Sequence, residues 1–198
     1  MKLGRNVLCW CGSHKKYKSC HLAFDEKIQA YEEKGARVPY REHIKTPEQI
    51  EGIRKAAKVN TQVLDKIEPY IKEGISTEEI NQLVDKFTRE LGGIPATLNY
   101  EGYPKSVCVS INEVVCHGIP CEERKLKSGD IVNIDCSTIV DGYFGDSSRM
   151  YCIGDVSEEK RKLVEVTKEC LELGLKEAKG KYILPLDADD IISTTYVE

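Results

Sequence analysis

Residues 106–151 decide the fold, and their second half, residues 131–151, reads IVNIDCSTIVDGYFGDSSRMY. From 131 to 140 apolar and polar side chains alternate, which is typical of a strand with one buried face. Asp141 and Gly142 follow, and this dipeptide is the strongest short-range signal for a two-residue hairpin turn. The sequence therefore predicts an antiparallel hairpin centred on this turn.

Counting back from the turn places Asp146 opposite Ser137 and puts Asp135 two positions further along the same face. Diagonal neighbours on an antiparallel pair lie roughly 7–8 Å apart, so two carboxylates there can share one or two cations. The spacing alone leaves a second interpretation, in which both are solvated aspartates on the polar face of the sheet. A β-bulge would also shift the pairing.

Three ordered motifs carry a resemblance to a known family. They are NEVVCHGIP at residues 112–120, VNID at 132–135 and GDSS at 145–148. At this spacing the chain resembles type I methionine aminopeptidases, from about residue 40 to about residue 179. The resemblance implies an α+β chain that forms the N-terminal half of a pita-bread fold, in which each half supplies part of one metal site.

The resemblance also implies the roles of individual residues. Asp135 and Asp146 match metal ligands, and His117 matches a histidine that lies beside the metals and contacts the substrate during cleavage. In the complete enzyme two divalent ions (Co, Mn, Fe or Zn) would act on the N-terminal methionine of nascent polypeptides. A lone histidine in an apolar strand is more often a satisfied core residue, which is the alternative for His117.

The loop NYEGYPK, residues 99–105, leads into a strand predicted over 106–111. The resemblance implies that Tyr100, Tyr103 and Cys108 wall the pocket for the methionine side chain. A thioether packs well against ring edges and other polarizable groups, which suits this set. The alternative is that the two tyrosines are ordinary surface aromatics. Many family members carry a histidine where Glu101 stands, so the role of that position is open.

Cysteine is abundant, with nine residues, and three of them lie in CWCGSHKKYKSCH at residues 9–21. Cys9, Cys11, Cys20 and His21 supply the ligand set of a closed tetrahedral zinc site, and disulfide pairing is the alternative. The segment resembles the SEC-C zinc motif, which implies one structural zinc ion. It is too short to bury a core, so zinc would supply its folding energy, on the order of 10–16 kcal/mol.

Lys15, Lys16, Tyr17 and Lys18 would be exposed on this zinc knob and form a small basic patch. The resemblance and the local charge favour docking onto the ribosome or an acidic partner, and a solvated lysine face is the alternative. A non-catalytic protein that binds the ribosome or nascent chains through this knob is the second candidate function.

We expect four segments: the zinc knob at 1–24, a linker that begins with a short helix at 25–45, the catalytic half at 46–179 and an acidic tail at 180–198. Thr46-Pro47, the capping box Ser76/Glu79 and Ser157 predict three helix starts. Their predicted buried residues are Ile50, Ile53, Ala57, Leu64 and Ile67, then Ile80, Leu83, Val84, Phe87 and Leu91, then Leu163, Val164, Cys170, Leu171 and Leu175. Five of the six cysteines beyond residue 100 are also expected in the core.

The tail GKYILPLDADDII, residues 180–192, resembles the Asp-x-Asp strand end of nucleotide-sugar glycosyltransferases. No nucleotide-binding fold surrounds it, so we expect no such activity; a fusion or frameshift near Lys179 is the favoured origin, and a natural acidic tail the alternative. The Gly-His-Gly segment and two glutamates that the resemblance places further along are not among the 198 residues. We therefore expect a partial metal site and a weakly active or inactive chain.

Composition sets the broad class. The chain is 40% apolar and 31% charged, with a net charge of −4. No secretory signal or membrane span is expected, and the absence of a basic excess argues against direct DNA binding. These features predict a cytoplasmic protein.

Overall fold

The computed structural model describes residues 3–38 and 45–178. They form two compact units that divide between Ile50 and Glu51. Residues 39–44, near the end of the predicted linker, and the whole predicted tail, residues 180–198, lie outside the described residues. The four predicted segments therefore stay a prediction.

Four α-helices are present in the described residues: α1 Leu22–Glu32, α2 Pro47–Ile67, α3 Thr77–Glu90 and α4 Glu158–Glu177. The predicted starts of α2, α3 and α4 are confirmed, because each follows a capping side chain. At α3, Ser76 and Glu79 satisfy one another's backbone N–H groups in a full capping box, which supplies partners for donors that the helix itself cannot pair.

Four antiparallel strands form one sheet: β1 Ile94–Pro95, β2 Cys108–Ile111, β3 Ile131–Val140 and β4 Tyr143–Cys152. Strand β3 pairs with the other three. The hairpin register is confirmed, with Ser137 opposite Asp146. Asp141 and Gly142 have φ values of 51° and 81°, and positive φ at both central residues is the geometry of a type I′ turn. Strand β2 is two residues shorter than predicted.

The core lies on one face of this sheet, where α2 and α3 bury their apolar sides. Its buried members are Val63, Leu64, Ile67, Ile80, Val84, Phe87, Val107, Val109, Ile111, Leu126, Val132, Ile134, Cys136 and Ile153. The predicted α3 stripe is confirmed. In the first half of α2 the prediction is wrong, since Ile53 is 36% exposed while Ala56 and Asn60 are fully buried.

Two further burial predictions are wrong. Helix α4 has no buried residue, and Leu163, Leu171 and Leu175 are exposed, because the described residues place no layer against that apolar side. Among the six later cysteines only Cys108 and Cys136 are buried. Cys116, Cys121, Cys152 and Cys170 are exposed because they lie in loops, at the end of an edge strand or on α4.

None of the helices within residues 3–38 and 45–178 combines the length and apolar content needed to span a bilayer.

Candidate metal centres

The sheet presents Asp135 and Asp146 on the face opposite the core. Asp135 pairs with Ser148 and Ser137 pairs with Asp146, so the two carboxylates are diagonal neighbours on one face. Asp135 is half-buried and Asp146 is exposed. The hairpin thus produces the juxtaposition that the turn predicted.

Asp146 has a neighbour that orients it. The Ser137 hydroxyl donates to Asp146 Oδ1 at 2.8 Å. The two residues face each other across the strands, where side chains on an antiparallel pair approach most closely. One carboxylate oxygen is thereby held, and Oδ2 is left for another ligand.

These side chains suit part of a divalent-cation site, because carboxylate oxygens are the ligands that hard divalent ions prefer. Within the described part of the chain, groups of three or more candidate metal ligands occur at the zinc knob and not on this face. The hairpin therefore supplies two carboxylates of such a site.

His117 lies in the loop before Pro120 rather than in a strand, and it is exposed, with φ 54°. The interpretation as a satisfied core histidine does not describe this position. Gly118 anchors the loop: its carbonyl accepts from Val109 N at 2.9 Å, and a Cβ there would lie 2.1 Å from Val109 O. Only a glycine lets the loop approach β2 this closely, so Gly118 fixes the base from which His117 projects.

The three predicted pocket residues differ in exposure: Cys108 is buried, Tyr103 is half-buried and Tyr100 is exposed. Tyr103 donates from its hydroxyl to the Gly118 carbonyl at 3.0 Å, and the Val107 carbonyl lies 3.1 Å away. Burial raises the pKa of Tyr103, and the neighbouring Cys108 side chain adds to the shift. Tyr100 is 67% exposed. Tyr103 and Cys108 thus form a wall beside Asp135, which pairs with Cys108, and Tyr100 lies outside it.

Cys108 itself is kept in its neutral form. Burial raises its pKa, Tyr103 opposes that shift, and Asp135 adds to it. A thiolate is the reactive form of cysteine, so the burial of Cys108 disfavours a role as a nucleophile.

A separate cleft lies beneath the 112–121 loop. It is lined by Thr77, Val109, Ile111, Val114, Gly118, Ile119, Cys121 and Arg124. None of the predicted pocket residues borders it.

The zinc knob brings its four predicted ligands together. The ligand atoms of Cys9, Cys11, Cys20 and His21 all lie within 4.8 Å of one another. Cys11 Sγ is 3.6 Å from Cys20 Sγ, and His21 Nδ1 lies 3.3 Å from Cys9 Sγ. Tetrahedral zinc with thiolate and imidazole ligands needs a cluster of this size and donor chemistry. The group fits a structural zinc ion.

Backbone geometry explains why these ligands converge. Leu8 and Lys16 form an antiparallel bridge, and Gly12 has φ 75° at the turn between them. Cys20 and His21 then lead directly into α1. A miniature hairpin and a helix start therefore present the two ligand pairs to one point.

A second layer of contacts surrounds this cluster. Asp25 of α1 accepts from Trp10 Nε1 at 3.1 Å and from the Tyr17 hydroxyl at 2.6 Å. Tyr17 is buried by this packing, so the prediction that it is exposed in the basic patch is wrong. The Trp10 ring lies 4.6 Å from the His21 ring. Asp25 thus joins the helix to the segments on either side of the turn, at Trp10 and at Tyr17, which is the kind of outer contact that orients metal ligands.

The thiols of the knob differ in acidity. Hydrogen bonds from Ser13 lower the pKa of Cys11 to about 6, while burial raises the pKa of Cys9. The lowered pKa of Cys11 favours its thiolate, which is the form that binds metal.

Sequence patterns missed two residues that contact the elements carrying the candidate ligands. Asn60 and Asp25 carry no motif signal, because each acts through a contact with residues distant in the chain or on another element. Gly118 belongs to the NEVVCHGIP motif at residues 112–120. A glycine next to His117 is the sequence signal for a close approach of the backbone.

Two protein families match separate parts of this chain. The profile of metallopeptidase family M24 matches residues 51–192, and that of the SEC-C motif matches residues 5–23. The chain is 46% identical over 179 residues to methionine aminopeptidase of Chlamydia trachomatis serovar D, covering 86% of this chain and 60% of that protein.

Two solved structures are similar to about two thirds of this chain. Methionine aminopeptidase from Rickettsia prowazekii aligns with a TM-score of 0.64 at 45% identity, covering 66% of this chain and 52% of that one. The Thermotoga maritima enzyme aligns with a TM-score of 0.66 at 38% identity, covering 69% and 55%. The predicted pita-bread fold is confirmed. The chain spans between half and three fifths of the length of these relatives.

Proposed function

Because the chain belongs to metallopeptidase family M24, we propose that it takes part in the metal-dependent removal of N-terminal methionine from nascent proteins. One observation carries this proposal: Asp135 and Asp146 share a sheet face, in the register that a shared cation needs. The methionine aminopeptidases to which the chain is similar support the choice of substrate.

In this proposal Asp135 and Asp146 hold divalent ions, and Ser137 keeps the Asp146 carboxylate turned toward them. Ions bound there would polarise the first peptide carbonyl and bind the free amino terminus. The exposed His117 ring contacts the substrate backbone beside them. Tyr103 and Cys108 form the neutral wall against which the methionine side chain packs.

The experiment measures release of methionine from a Met-Ala-Ser peptide by the purified chain with Mn²⁺ or Co²⁺. We expect slow release, because the described residues contribute two carboxylates to the site, and we expect Asp146→Asn to abolish it. Asp141→Asn is the matched control, since Asp141 lies in the turn of the same hairpin and pairs with Lys55. Release that survives Asp146→Asn would contradict the ligand assignment.

We also propose that the zinc knob docks onto a polyanionic partner, the ribosome. Lys15, Lys16 and Lys18 are exposed on the knob, and the SEC-C match covers them. A cluster of like charges on a small rigid unit favours an anionic surface. This docking would place the catalytic half near emerging N-termini. Docking without hydrolysis is the second candidate function, that of a non-catalytic ribosome or nascent-chain binder.

Co-sedimentation with ribosomes tests the docking. Changing Lys15, Lys16 and Lys18 to Glu should release the protein from the pellet, and the effect should weaken at high salt. The matched control changes Lys162, Lys168 and Lys176 of α4 to Glu, which alters the net charge equally. Unchanged pelleting of the knob variant would rule out docking through this patch.

A further inference from the structure

We infer that Asn60 of α2 is a positioning residue that fixes the mutual placement of Asp135 and Asp146 from the core side of the sheet. The inference rests on the proposed function in one respect, namely that these two aspartates are the metal ligands. Asn60 itself touches neither carboxylate.

Asn60 is fully buried and joins α2 to both strands of the hairpin. Its Nδ2 donates to the Cys136 carbonyl at 2.9 Å and to the Ser147 hydroxyl at 2.8 Å. Its Oδ1 accepts from the Thr138 hydroxyl at 2.7 Å. Both amide protons and one oxygen lone pair are therefore engaged, and the partners lie on β3 and β4 alike.

These partners are the immediate neighbours of the candidate ligands. Cys136 follows Asp135 and Ser147 follows Asp146, and Cys136 and Ser147 are paired in the ladder. Successive side chains of a strand point to opposite faces. A residue that anchors 136 and 147 on the core face therefore sets where the carboxylates emerge on the other face.

The same helix contacts β4 at successive turns, which makes the anchor rigid. A Cβ on Gly52 would lie 2.4 Å from the Tyr143 ring, and a Cβ on Gly145 would lie 2.4 Å from the Ala56 carbonyl carbon. With Asn60 and Ser147 as the next pair, every fourth helix residue meets every second strand residue. Four residues of helix rise about 6.0 Å and two residues of strand about 6.6 Å, so the two elements stay matched.

An ordinary packing role at position 60 would not require a polar side chain. An apolar side chain of similar volume could fill the space between helix and sheet, but it would leave the Thr138 hydroxyl and Cys136 carbonyl without the amide. Unpaired buried polar groups are costly, and the strands would shift to find other partners. The carboxylates would then lose their common geometry.

The experiment compares Asn60→Leu with Val63→Ala in the full chain. Val63 is the matched control, because it is fully buried on the same helix but belongs to the apolar core. Two quantities are measured: Mn²⁺ affinity by water-proton relaxation, with Asp146→Asn defining the signal from this site, and backbone amide exchange along β3 and β4 by NMR.

We expect Asn60→Leu to weaken Mn²⁺ binding about 10–100-fold, as outer contacts of metal sites do, and to speed amide exchange selectively at residues 135–138 and 145–148. Val63→Ala should lower the melting temperature and leave Mn²⁺ affinity near that of the unmodified chain. Equal loss of affinity in both variants, or retained affinity and exchange in Asn60→Leu, would overturn the inference.

Ser147→Ala provides a milder variant should Asn60→Leu not fold. It removes the partner of Asn60 on β4 alone, and we expect faster exchange at residues 145–148 with weaker Mn²⁺ binding; unchanged exchange and affinity would again overturn the role. If Asp146→Asn binds Mn²⁺ as the unmodified chain does, the proposed ligands fail. In that case local exchange still decides whether Asn60 sets the strand geometry.

Discussion

The zinc knob and the sheet place candidate metal ligands in opposite ways. In the knob, four ligands come from residues 9–21 and converge around one point. On the sheet, Asp135 and Asp146 come from two strands whose placement depends on α2, far earlier in the chain. The knob has four candidate ligands on a very small fold. The sheet unit has a well-formed fold but contributes two candidate ligands.

The contrast extends to what stabilises each unit. Among the described residues of the knob, only Cys9 and Tyr17 are buried, so little apolar surface is removed from water. The sheet unit has a continuous core of fourteen buried residues. Metal should therefore be a folding partner for the knob and a bound ligand for the sheet.

Removing zinc from the knob tests this contrast, and its effect on stability should be the largest of those predicted. Chelation, or Cys20→Ser, should unfold the knob and leave the sheet unit folded, because the metal supplies roughly 10–16 kcal/mol at such sites. The measurement is amide exchange at residues 9–32 compared with residues 131–152, together with zinc content by mass spectrometry. Cys152→Ser is the control, since Cys152 is an exposed cysteine outside the cluster. A knob that keeps its exchange protection without metal would contradict the prediction.

The next largest effect on stability is expected where the backbones of α2 and β4 pack closely in the sheet unit. Gly145→Ala should cost about 3 kcal/mol, because the added Cβ would meet the backbone of Ala56 and Ala57 at 2.4–2.5 Å and neither element can move without disturbing the core. Gly174→Ala is the matched control. Gly174 lies in α4 with open space around it, so alanine there should stabilise by about 0.5–1 kcal/mol. Urea unfolding of both variants measures the difference, and equal stability would refute the close contact.

Local signals predicted the placement of the candidate ligands in both regions for the same reason. The hairpin register follows from Asp141 and Gly142, because a two-residue turn leaves no freedom in the pairing. The four knob side chains converge from within thirteen residues. Where a placement is set by neighbours in sequence, the sequence alone predicts it.

Burial could not be predicted equally well, because it depends on which surfaces meet. Ile53 fits an apolar stripe, yet the helix turns Ala56 and Asn60 inward to let β4 approach. Leu163 and Leu171 have the spacing of a buried helix side and are exposed. A polar residue such as Asn60 gives no sign of its partners, which lie 76 to 87 positions away.

Acid should destabilise the sheet unit through a carboxylate remote from the candidate ligands. Hydrogen bonds from Arg89 lower the pKa of Asp85, burial opposes the shift, and Ser106 adds to it. A lowered folded-state pKa gives stability that is present above the ordinary value near 3.8 and is lost as pH falls through the folded value.

Asp85→Asn should therefore cost a few tenths of a kcal/mol at pH 7, since the pair is partly solvated, and less at pH 2. The free energy of unfolding is measured with urea at both pH values, with chelator present so that the knob does not contribute. Asp65→Asn is a control for removing one surface negative charge. A loss as large at pH 2 as at pH 7 would show that packing, and not ionisation, accounts for it.

The smallest effect on stability is expected for a change of Asp146. This change tests directly whether the sheet unit, unlike the knob, folds without its candidate metal ligands. Asp146→Asn keeps an oxygen that can accept from Ser137 and removes one of two neighbouring negative charges. In metal-free buffer the melting temperature should change by no more than about 1 °C, which at this chain length corresponds to less than about 0.5 kcal/mol, while Mn²⁺ binding at the sheet is lost. Thermal unfolding with and without Mn²⁺ measures both. A fall of many degrees in metal-free buffer would mean that the sheet, like the knob, needs its metal ligands in order to fold.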